Sequence, residues 1–263
     1  MSKIKITNLS KRFIKRGKYL DALKDVNVEI ETGEFVCLLG PSGCGKSTLL
    51  RILSQLESPS AGSIEIEQTK KNLPLQSMVF QEKGVIPWLT VEENVAFGLK
   101  MRHEKPELVK KITDEYLYKV GLQQYRSLYP KELSGGMKQR VSIARAFANN
   151  PEILLMDEPF AALDEQNKFI LQEELLSIWE ETKKTVLFIT HSIDEALLLA
   201  DRIILMSSQP GTIVKEISIP MPRPRTIEDV RSNDEMTQIF IDMWEHLQRE
   251  VKQNRQGISN GTT

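Results

Sequence analysis

The sequence is poor in features that mark several large classes of protein. It has two cysteines, Cys37 and Cys44, among 263 residues, so no disulfide framework is expected and a reducing compartment is favoured. It has no run of 18 or more apolar residues, and its most apolar stretch, 196–206, is interrupted by Asp201 and Arg202. These features argue against a membrane-spanning helix. The N-terminus also lacks the apolar core of a signal peptide.

The charge balance argues against a further class. The net charge is −1, and the charged residues, 27% of the chain, are mixed along it. The electrostatic footprint of a nucleic-acid-binding protein is therefore missing, although binding to the protein part of a membrane complex is not excluded. The length suffices for one large domain or two small ones with a sizeable core. We find no internal repeat and no low-complexity segment.

A glycine-rich stretch after an apolar run is the most informative feature. Residues 40–48 fit G-x-x-x-x-G-K-[ST], a pattern in which backbone N–H groups and a helix start surround phosphate oxygens. Residues 35–39 predict the preceding strand, and 48–53 predict the following helix. Lys46 is expected to reach the β- and γ-phosphates, and the Ser47 hydroxyl to hold Mg²⁺. The candidate nucleotide-binding residues are Gly40, Pro41, Ser42, Gly43, Cys44, Gly45, Lys46, Ser47 and Thr48.

The two cysteines lie in and beside this loop. We expect Cys37 to be a core residue of the preceding strand. We expect Cys44 to be an accessible thiol, and the phosphate-binding chemistry does not require a cysteine at that position.

Short apolar and alternating runs predict strands along most of the chain. Alternation over 3–9 and 23–30 is typical of half-buried strands, and the continuous run 153–156 is typical of a strand buried on both faces. Phe13 is expected in a loop. Because such strands alternate with helical segments, the sequence predicts an α/β layered domain. The other predicted strands are 63–67, 78–80, 186–189 and 203–206.

The segment from about residue 84 to 150 lacks strand-like runs, and its pattern predicts helices. Pro106 suits the start of one helix, and Gly121 suits its end. We interpret the segment as a helical subdomain inserted between two parts of the α/β core. The predicted helices are 91–101, 106–120 and 136–149.

A proline-rich break at 220–225 precedes a final predicted helix. Its apolar residues recur at helical spacing, so it is either packed on its own domain or a partner-binding helix. The polar residues 253–263 are expected to fray. The apolar stripe consists of Met236, Ile239, Phe240, Met243, Trp244, Leu247 and Val251.

Two further motifs suit nucleotide chemistry. Asp157 and Glu158 follow a buried run, and a carboxylate at the C-terminal edge of a parallel strand lies where α/β sheets bind ligands. Asp157 can bind Mg²⁺, and Glu158 can orient and deprotonate water. Ser134 is a natural N-cap before Gly135 and Gly136, which leave N–H groups open at a helix start. That stretch is a second candidate anion site, although a capped helix explains it nearly as well.

Taken in chain order, these features resemble the ATP-binding subunit of ABC transporters, and the resemblance covers nearly the whole chain. It identifies residues 40–48 as the Walker A motif and Asp157 with Glu158 as Walker B. It identifies residues 133–137 as the signature motif, with Met137 where the family usually has Gln. Because the Met137 side chain is not needed for the N–H donors, ATPase function remains the expectation.

The resemblance implies roles for further residues. Phe13 matches the aromatic that stacks on adenine, with a core position as the alternative and Tyr19 as a nearby competitor. Gln81 matches the Q-loop and Asp164 the D-loop. His191 matches the switch histidine that contacts the γ-phosphate, with a structural histidine as the alternative.

The resemblance also implies a fold. It is an α/β P-loop NTPase of the ABC type, with a mostly parallel sheet core, an N-terminal antiparallel β part and the helical subdomain at about 84–150. The ATP-binding domain is expected to span 1–225, and a C-terminal helix and tail to span 226–263.

The cofactors implied are ATP and Mg²⁺, with Glu158 as general base assisted by His191 and Gln81. Two copies of the chain are expected to sandwich two ATP molecules head to tail, so that each signature serves the other copy's nucleotide. The implied metal ligands are Ser47, Gln81 and Asp157. The implied ligands supplied around the signature are Ser134, Gly135, Gly136 and Asp164.

Softer signals resemble the nitrate, sulfonate and taurine importer ATPases: the signature LSGGM, residues 87–91 and 94–98, and Pro222-Arg223-Pro224-Arg225. They imply an integral membrane permease as partner, indirectly a solute-binding protein, and a peripheral location on the cytoplasmic face of the membrane. An exporter ATPase is the first alternative. A soluble ABC ATPase acting on DNA or ribosomes is the second alternative. The DNA-repair type carries a long coiled-coil insertion and the ribosomal type joins two ATPase units in one chain, and this sequence has neither feature.

Overall fold

The computed structural model describes residues 2–15, 17–81 and 84–259. The chain forms two compact units. The first combines the residues up to Glu67 with those from Leu187 onward, and the second is Gln68–Val186. Among the described residues, no helix is both long and apolar enough to cross a bilayer.

The regular elements are as follows. The strands are β1 Ser2–Lys15, β2 Lys18–Glu31, β3 Phe35–Leu39, β4 Ala61–Ile66, β5 Gln76–Val79, β6 Ile153–Asp157, β7 Thr185–Thr190, β8 Arg202–Met206 and β9 Ile213–Ser218. The helices are α1 Lys46–Leu53, α2 Val91–Met101, α3 Pro106–Lys119, α4 Gly135–Ala148, α5 Glu165–Thr182, α6 Ile193–Leu199, α7 Ile227–Ser232 and α8 Asp234–Ser259.

The first unit contains an antiparallel sheet in the order β2-β1-β4. Ile4 pairs with Ile30 on one side and with Ile66 on the other, and this alternation buries one face as the sequence predicted. The expectation that Phe13 lies in a loop was wrong. Phe13 is part of β1 and pairs with Leu20, because the cross-strand partners in β2 extend the hairpin well beyond the alternating run.

The first unit also contains strands β7, β3, β8 and β9 in this order, with the unit boundary inside β7 after Val186. All five residues of β3 are buried, which explains why the strand is a continuous apolar run. Leu38 pairs with Ile204 in the parallel neighbour β8, and Ile203 pairs with Ile217 in the antiparallel edge strand β9. Strand β9 was not predicted from the sequence, and four of its six residues are exposed.

The second unit joins a parallel pair of strands to helices. Met78 of β5 pairs with Leu155 of β6. The predicted helices of the 84–150 segment are confirmed as α2, α3 and α4, with a capping box between Thr90 and Glu93 starting α2 and Pro106 in the first turn of α3. Such caps satisfy N–H groups that the helix leaves unpaired. The domain limits inferred from the sequence stay a prediction.

The final helix, α8, follows the short helix α7. Met236 and Met243 are fully buried, whereas Trp244 is half exposed and its ring stacks near that of Phe240. The two methionines support the interpretation that α8 packs on its own unit. The backbone is helical through Ser259, so the prediction that residues 253–259 fray was wrong. Residues 260–263 and the Val251 side chain lie outside the described part.

Candidate functional site

The glycine-rich loop joins β3 to α1 in the first unit. Gly45 precedes α1 with φ of 106°, a conformation that side chains with a Cβ rarely adopt. A Cβ there would lie 2.7 Å from the Ala22 carbonyl oxygen. Gly43 also has a positive φ but faces open space. The fold itself therefore requires glycine at position 45 more strictly than at position 43.

Lys46 is buried at the first position of α1. Its ammonium donates to the carbonyl oxygens of Gly40 at 2.7 Å and Pro41 at 3.0 Å. The N-cap residue of α1 is Gly45, which makes no side-chain capping hydrogen bond. A loop of this kind offers an anion both a cation and backbone donors.

The cysteines both lie in the interior of the first unit. Cys37 is fully buried, as predicted for a core residue. The expectation of an accessible Cys44 was wrong: its side chain is 1% exposed, and burial raises the pKa of its thiol. A Cβ on Gly40 would lie 3.0 Å from the Cys44 sulfur, so the curl of the loop turns this side chain inward.

The aromatic candidates for a base-stacking role lie on opposite faces of the β1–β2 hairpin. Phe13 pairs with Leu20, whereas Tyr19 pairs with Ile14, and successive residues of a strand face opposite sides. The Lys11 ammonium lies 4.8 Å from the centre of the Phe13 ring.

The Lys11 side chain shows which face of the hairpin lies towards α1. It bonds the Glu57 carboxylate at 2.8 Å and the Ser58 carbonyl at 2.6 Å, and both residues follow α1 in the chain. The face of Phe13 is therefore the one turned towards the segment after α1. This geometry favours Phe13 over Tyr19 as the aromatic residue that stacks on a base. The contact of Phe13 with a base stays a prediction.

His191 directly follows β7 and is exposed. The next residue, Ser192, caps α6 by accepting from the Glu195 N–H at 3.3 Å. In the sheet β7 lies next to β3, the strand that leads into the glycine-rich loop. The histidine is thus held at a strand end by a capped helix start.

The second unit brings Gln81 and Glu158 together. Their strands, β5 and β6, are parallel neighbours, so the residues that follow them meet at the same edge. The Gln81 amide nitrogen lies 3.4 Å from a Glu158 carboxylate oxygen, while Asp157 is the last residue of β6. Glu158 has φ of 42°, and such strain in a non-glycine residue concentrates at functional sites.

The second glycine-rich stretch starts α4 in the second unit. Ser134 is the N-cap, as predicted, and accepts from the Met137 N–H at 3.2 Å. A Cβ on Gly135 would meet no atom within 4 Å, and one on Gly136 would make an ordinary contact with Leu163. Because the fold would tolerate side chains here, the two glycines are not explained by packing within this chain.

Asp164 caps α5 in the second unit. Its carboxylate accepts from the Asn167 side-chain amide at 2.7 Å and from the Asn167 N–H at 3.0 Å. These bonds hold the Asp164 pKa below its ordinary value. A structural role therefore accounts for this residue, and its predicted role towards nucleotide is untested.

A cavity of about 610 Å³ lies beside the start of α4 in the second unit, and it was not predicted from the sequence. Gln81 and Gly135 line it together with Gln139 and Ser142. The Gln139 side-chain nitrogen and the Ser142 hydroxyl are buried and have no hydrogen-bond partner among the described residues. Only the helical spacing of positions 135, 138, 139 and 142 could have indicated this common face.

Comparison with known proteins gives consistent matches. The family profile described as "ABC transporter" matches residues 23–161. A nitrate import ATP-binding protein of Synechocystis is 47% identical over 222 residues, covering 83% of each chain. An aliphatic sulfonates import ATP-binding protein of Bacillus cereus is 46% identical over 229 residues, covering 86% of this chain and 90% of the relative.

Solved structures are also similar. A dimeric ATP-binding cassette in a post-hydrolysis state, bound to ADP and Pi, matches with a TM-score of 0.73 and 34% identity. The match covers 83% of this chain and all of that one. The predicted cassette fold, with an antiparallel N-terminal sheet, a parallel sheet core and helical parts, is confirmed.

Proposed function

The chain belongs to the ABC transporter family of ATP-binding proteins, and from this premise we propose that it powers uptake of a small anion through a separate membrane permease. Membership makes it an ATPase. The observation that carries the uptake proposal is the identity of 46–47% with relatives named for nitrate and aliphatic sulfonate import. Nitrate, a sulfonate or taurine is the proposed class of solute.

ATP would bind with its phosphates on the loop at 40–48. Lys46 would exchange the carbonyls of Gly40 and Pro41 for phosphate oxygens, and the uncapped start of α1 would add N–H donors. Phe13 would stack on the base. Its position supports this role, because Phe13 lies on the face of the hairpin that is turned towards the segment after α1.

Glu158 would act as general base towards the attacking water. Its hydrogen bond with Gln81 and its left-handed backbone conformation support a fixed, functional placement. His191 would contact the γ-phosphate and the water, as the family pattern implies. Phosphoryl transfer depends mainly on positioning and charge stabilisation, which are the contributions that these side chains can make.

The predicted metal ligands fit Mg²⁺ by their chemistry. Ser47, Gln81 and Asp157 offer a hydroxyl, an amide carbonyl and a carboxylate, and hard oxygen atoms are the ligands that Mg²⁺ prefers. Bound there, Mg²⁺ would neutralise phosphate charge. Among the described residues, no cluster of three or more His, Cys, Asp or Glu side chains forms a separate metal site.

Two copies would assemble head to tail, with the signature of each copy serving the other copy's ATP. Two similar solved structures are described as dimers, and Gly135 and Gly136, where the fold leaves room for a side chain, suit an approach from outside the chain. Ser134 and Asp164 would join them at the nucleotide.

A permease would dock on the second unit, at the cytoplasmic face of the membrane. Large apolar side chains are exposed there: Trp88 is 75% and Met101 is 60% exposed. Tryptophan and methionine are enriched in protein–protein interfaces relative to the rest of the surface. A solute-binding protein would join the complex indirectly.

Substitution of the proposed base tests the enzymatic part of the proposal. Glu158→Gln should keep ATP binding and reduce steady-state hydrolysis about 10²–10⁴-fold, the usual contribution of general-base catalysis. A coupled phosphate-release assay and a titration with a fluorescent ATP analogue measure the two quantities. Hydrolysis close to the wild-type rate would show that Glu158 is not the base.

Uptake is tested separately in cells that carry the chain with its own permease. Accumulation of labelled nitrate, taurine or an alkylsulfonate should require an intact Glu158, while the substituted protein should still copurify with the permease. Faster loss of solute from cells with the wild-type chain would indicate export and contradict the proposal.

A further inference from the structure

The turn between β8 and β9, residues 207–212, is a compact structure in the first unit. The Ser207 N–H donates to the Thr212 carbonyl at 3.0 Å, and the Thr212 N–H donates to the Ser207 hydroxyl at 2.9 Å. The two hydroxyls are 2.9 Å apart. These bonds close the turn on itself, so it should move as one piece. We call it the β8–β9 turn.

One side of the β8–β9 turn is pressed against the phosphate loop. Gly211 donates to the Ala22 carbonyl at 3.0 Å, and its own carbonyl accepts from the Lys24 N–H at 3.0 Å. A Cβ on Gly211 would lie only 2.0 Å from the Cys44 carbonyl oxygen, and one on Gly45 would meet the same Ala22 carbonyl at 2.7 Å. The turn and the phosphate loop therefore both pack against the same part of β2. They also pack directly against each other at Gly211 and Cys44.

The other side of the β8–β9 turn is held by the C-terminal helix. Both the N–H and the hydroxyl of Ser208 donate to one carboxylate oxygen of Glu250, at 2.6 and 2.8 Å. The Glu250 side chain is largely buried, and its second oxygen lies 4.0 Å from the His246 imidazole. Hydrogen bonds to an ionised carboxylate are stronger than those between neutral groups.

We propose that Glu250 is a positioning residue for nucleotide binding. By fixing Ser208 it holds the β8–β9 turn, and the turn holds the carbonyl of Cys44 and hence the curvature of the phosphate loop. The C-terminal helix would thereby set how tightly the loop around Lys46 holds phosphate. The inference rests on the proposed role of that loop.

The helix itself does not depend on this contact. Met236 and Met243 of α8 are fully buried, and they lie two to four turns before Glu250. They keep the helix packed when the carboxylate is removed, so that Glu250→Ala should release the turn while the helix remains docked. This separation makes the positioning role distinguishable from a general stabilising one.

The test measures the affinity of the full chain for a fluorescent ATP analogue. Glu250→Ala should raise Kd at least about five-fold, the lower end of common coupling effects, and should raise KM for ATP more than it lowers kcat. Glu250→Gln should have a smaller effect, because its amide oxygen still accepts from Ser208. The matched control is Glu245→Ala, on an exposed position of the same helix, which should bind as wild type.

Two outcomes overturn the inference. One is a lower thermal unfolding temperature for Glu250→Ala with unchanged Kd, since that would make Glu250 a stabilising residue only. The other is an equal change of Kd in Glu245→Ala, since that would reflect lost charge alone. Should Glu250→Ala fail to fold, Glu250→Leu decides, because leucine fills much of the same space and has no oxygen that could accept from Ser208. An unchanged Kd in that folded variant is equally contrary.

A further variant, Lys46→Ala, separates failure of the positioning role of Glu250 from failure of the proposed phosphate-binding role of the loop. Lys46→Ala should lose most affinity for the analogue. Normal binding by Lys46→Ala would refute the role of the loop itself. Loss of binding in Lys46→Ala together with normal binding in Glu250→Ala would refute only the positioning role.

Discussion

The chain has two glycine-rich helix starts, and they are built in different ways. At α1 in the first unit, Gly45 has a left-handed backbone conformation and lies against the Ala22 carbonyl, and within the described residues no side chain caps the helix. At α4 in the second unit, Ser134 caps the helix and a Cβ on Gly135 would meet nothing within 4 Å.

The difference separates two reasons for a glycine. At α1 the glycine is required by the fold, because the backbone conformation and the neighbouring strand both exclude a side chain. At α4 the fold would accept a side chain, and under the proposed function the reason for a glycine there is a nucleotide that approaches the helix start from outside the chain. Stability and activity should therefore respond differently at the two sites.

The largest expected effect is at the first helix start. Gly45→Ala should lower the free energy of unfolding by about 2–4 kcal/mol, from backbone strain and steric overlap together. Gly43→Ala, whose Cβ would face open space, should cost only about 1–2 kcal/mol for the left-handed conformation. Urea unfolding curves compare the two. Equal midpoints for Gly45→Ala and the wild type would contradict the role of Ala22.

The second site should respond in activity and not in stability. Gly135→Asp should leave the free energy of unfolding unchanged or raise it by up to about 1 kcal/mol, since an acidic residue suits the first turn of a helix. ATPase activity should drop at least about ten-fold, equivalent to about 1.4 kcal/mol, because the charge would repel the γ-phosphate. The neutral Gly135→Asn is the matched control and should lose less activity. A lower free energy of unfolding for Gly135→Asp would contradict the conclusion that the fold has room for a side chain at position 135.

The cap of α4 is a smaller effect. Ser134→Ala removes the acceptor of the Met137 N–H and should cost about 1 kcal/mol of stability. Ser134→Thr keeps a capping hydroxyl and should recover most of it. Thermal unfolding measures both, and an unfolding temperature unaffected by Ser134→Ala would mean that water replaces the cap without loss.

The smallest effect concerns a third helix start, at α5. Hydrogen bonds from Asn167 keep the pKa of Asp164 low in the folded chain, so the stability they contribute is present above the unfolded pKa of about 3.9. It is lost as the pH falls through the lower, folded pKa. Asn167→Ala should move the Asp164 pKa up towards its ordinary value, as followed by carboxyl NMR. An unmoved titration would remove Asn167 as the cause.

Local sequence patterns predicted the helix starts well. The glycine-rich loop before α1, the Ser134 cap and the Pro106 helix each depend on residues within a few positions of one another, and the structure contains all three. Asp157, which ends β6, and Glu158, which follows it, were also placed at a strand end from their position after a buried run.

The contacts that the sequence did not reveal are long-range. Phe13 lies in a strand because of partners in β2, and Cys44 is buried because the loop folds inward. The contact of Glu250 with Ser208 joins residues 42 positions apart, and no local pattern encodes it. The left-handed conformation of Glu158 is likewise fixed by its surroundings.

The central claim is that the two glycine-rich helix starts of one chain serve different ATP molecules. ATPase activity of a mixture of Lys46→Ala and Gly135→Asp chains, assembled with the permease, tests it directly. In a mixed dimer one site carries both lesions, and the other joins an intact loop to an intact signature. Activity should therefore reappear on mixing, up to about half the wild-type level per dimer if the sites act independently.

A dimer of one wild-type and one doubly substituted chain is the control. It separates ATP sites that are shared between two chains from ATP sites that are built within one chain. In that dimer each head-to-tail site carries one lesion, whereas a site built within one chain would be intact in the wild-type copy. The account predicts recovery in the Lys46→Ala and Gly135→Asp mixture and little activity in this control. Activity in the control without recovery in the mixture would contradict the head-to-tail arrangement.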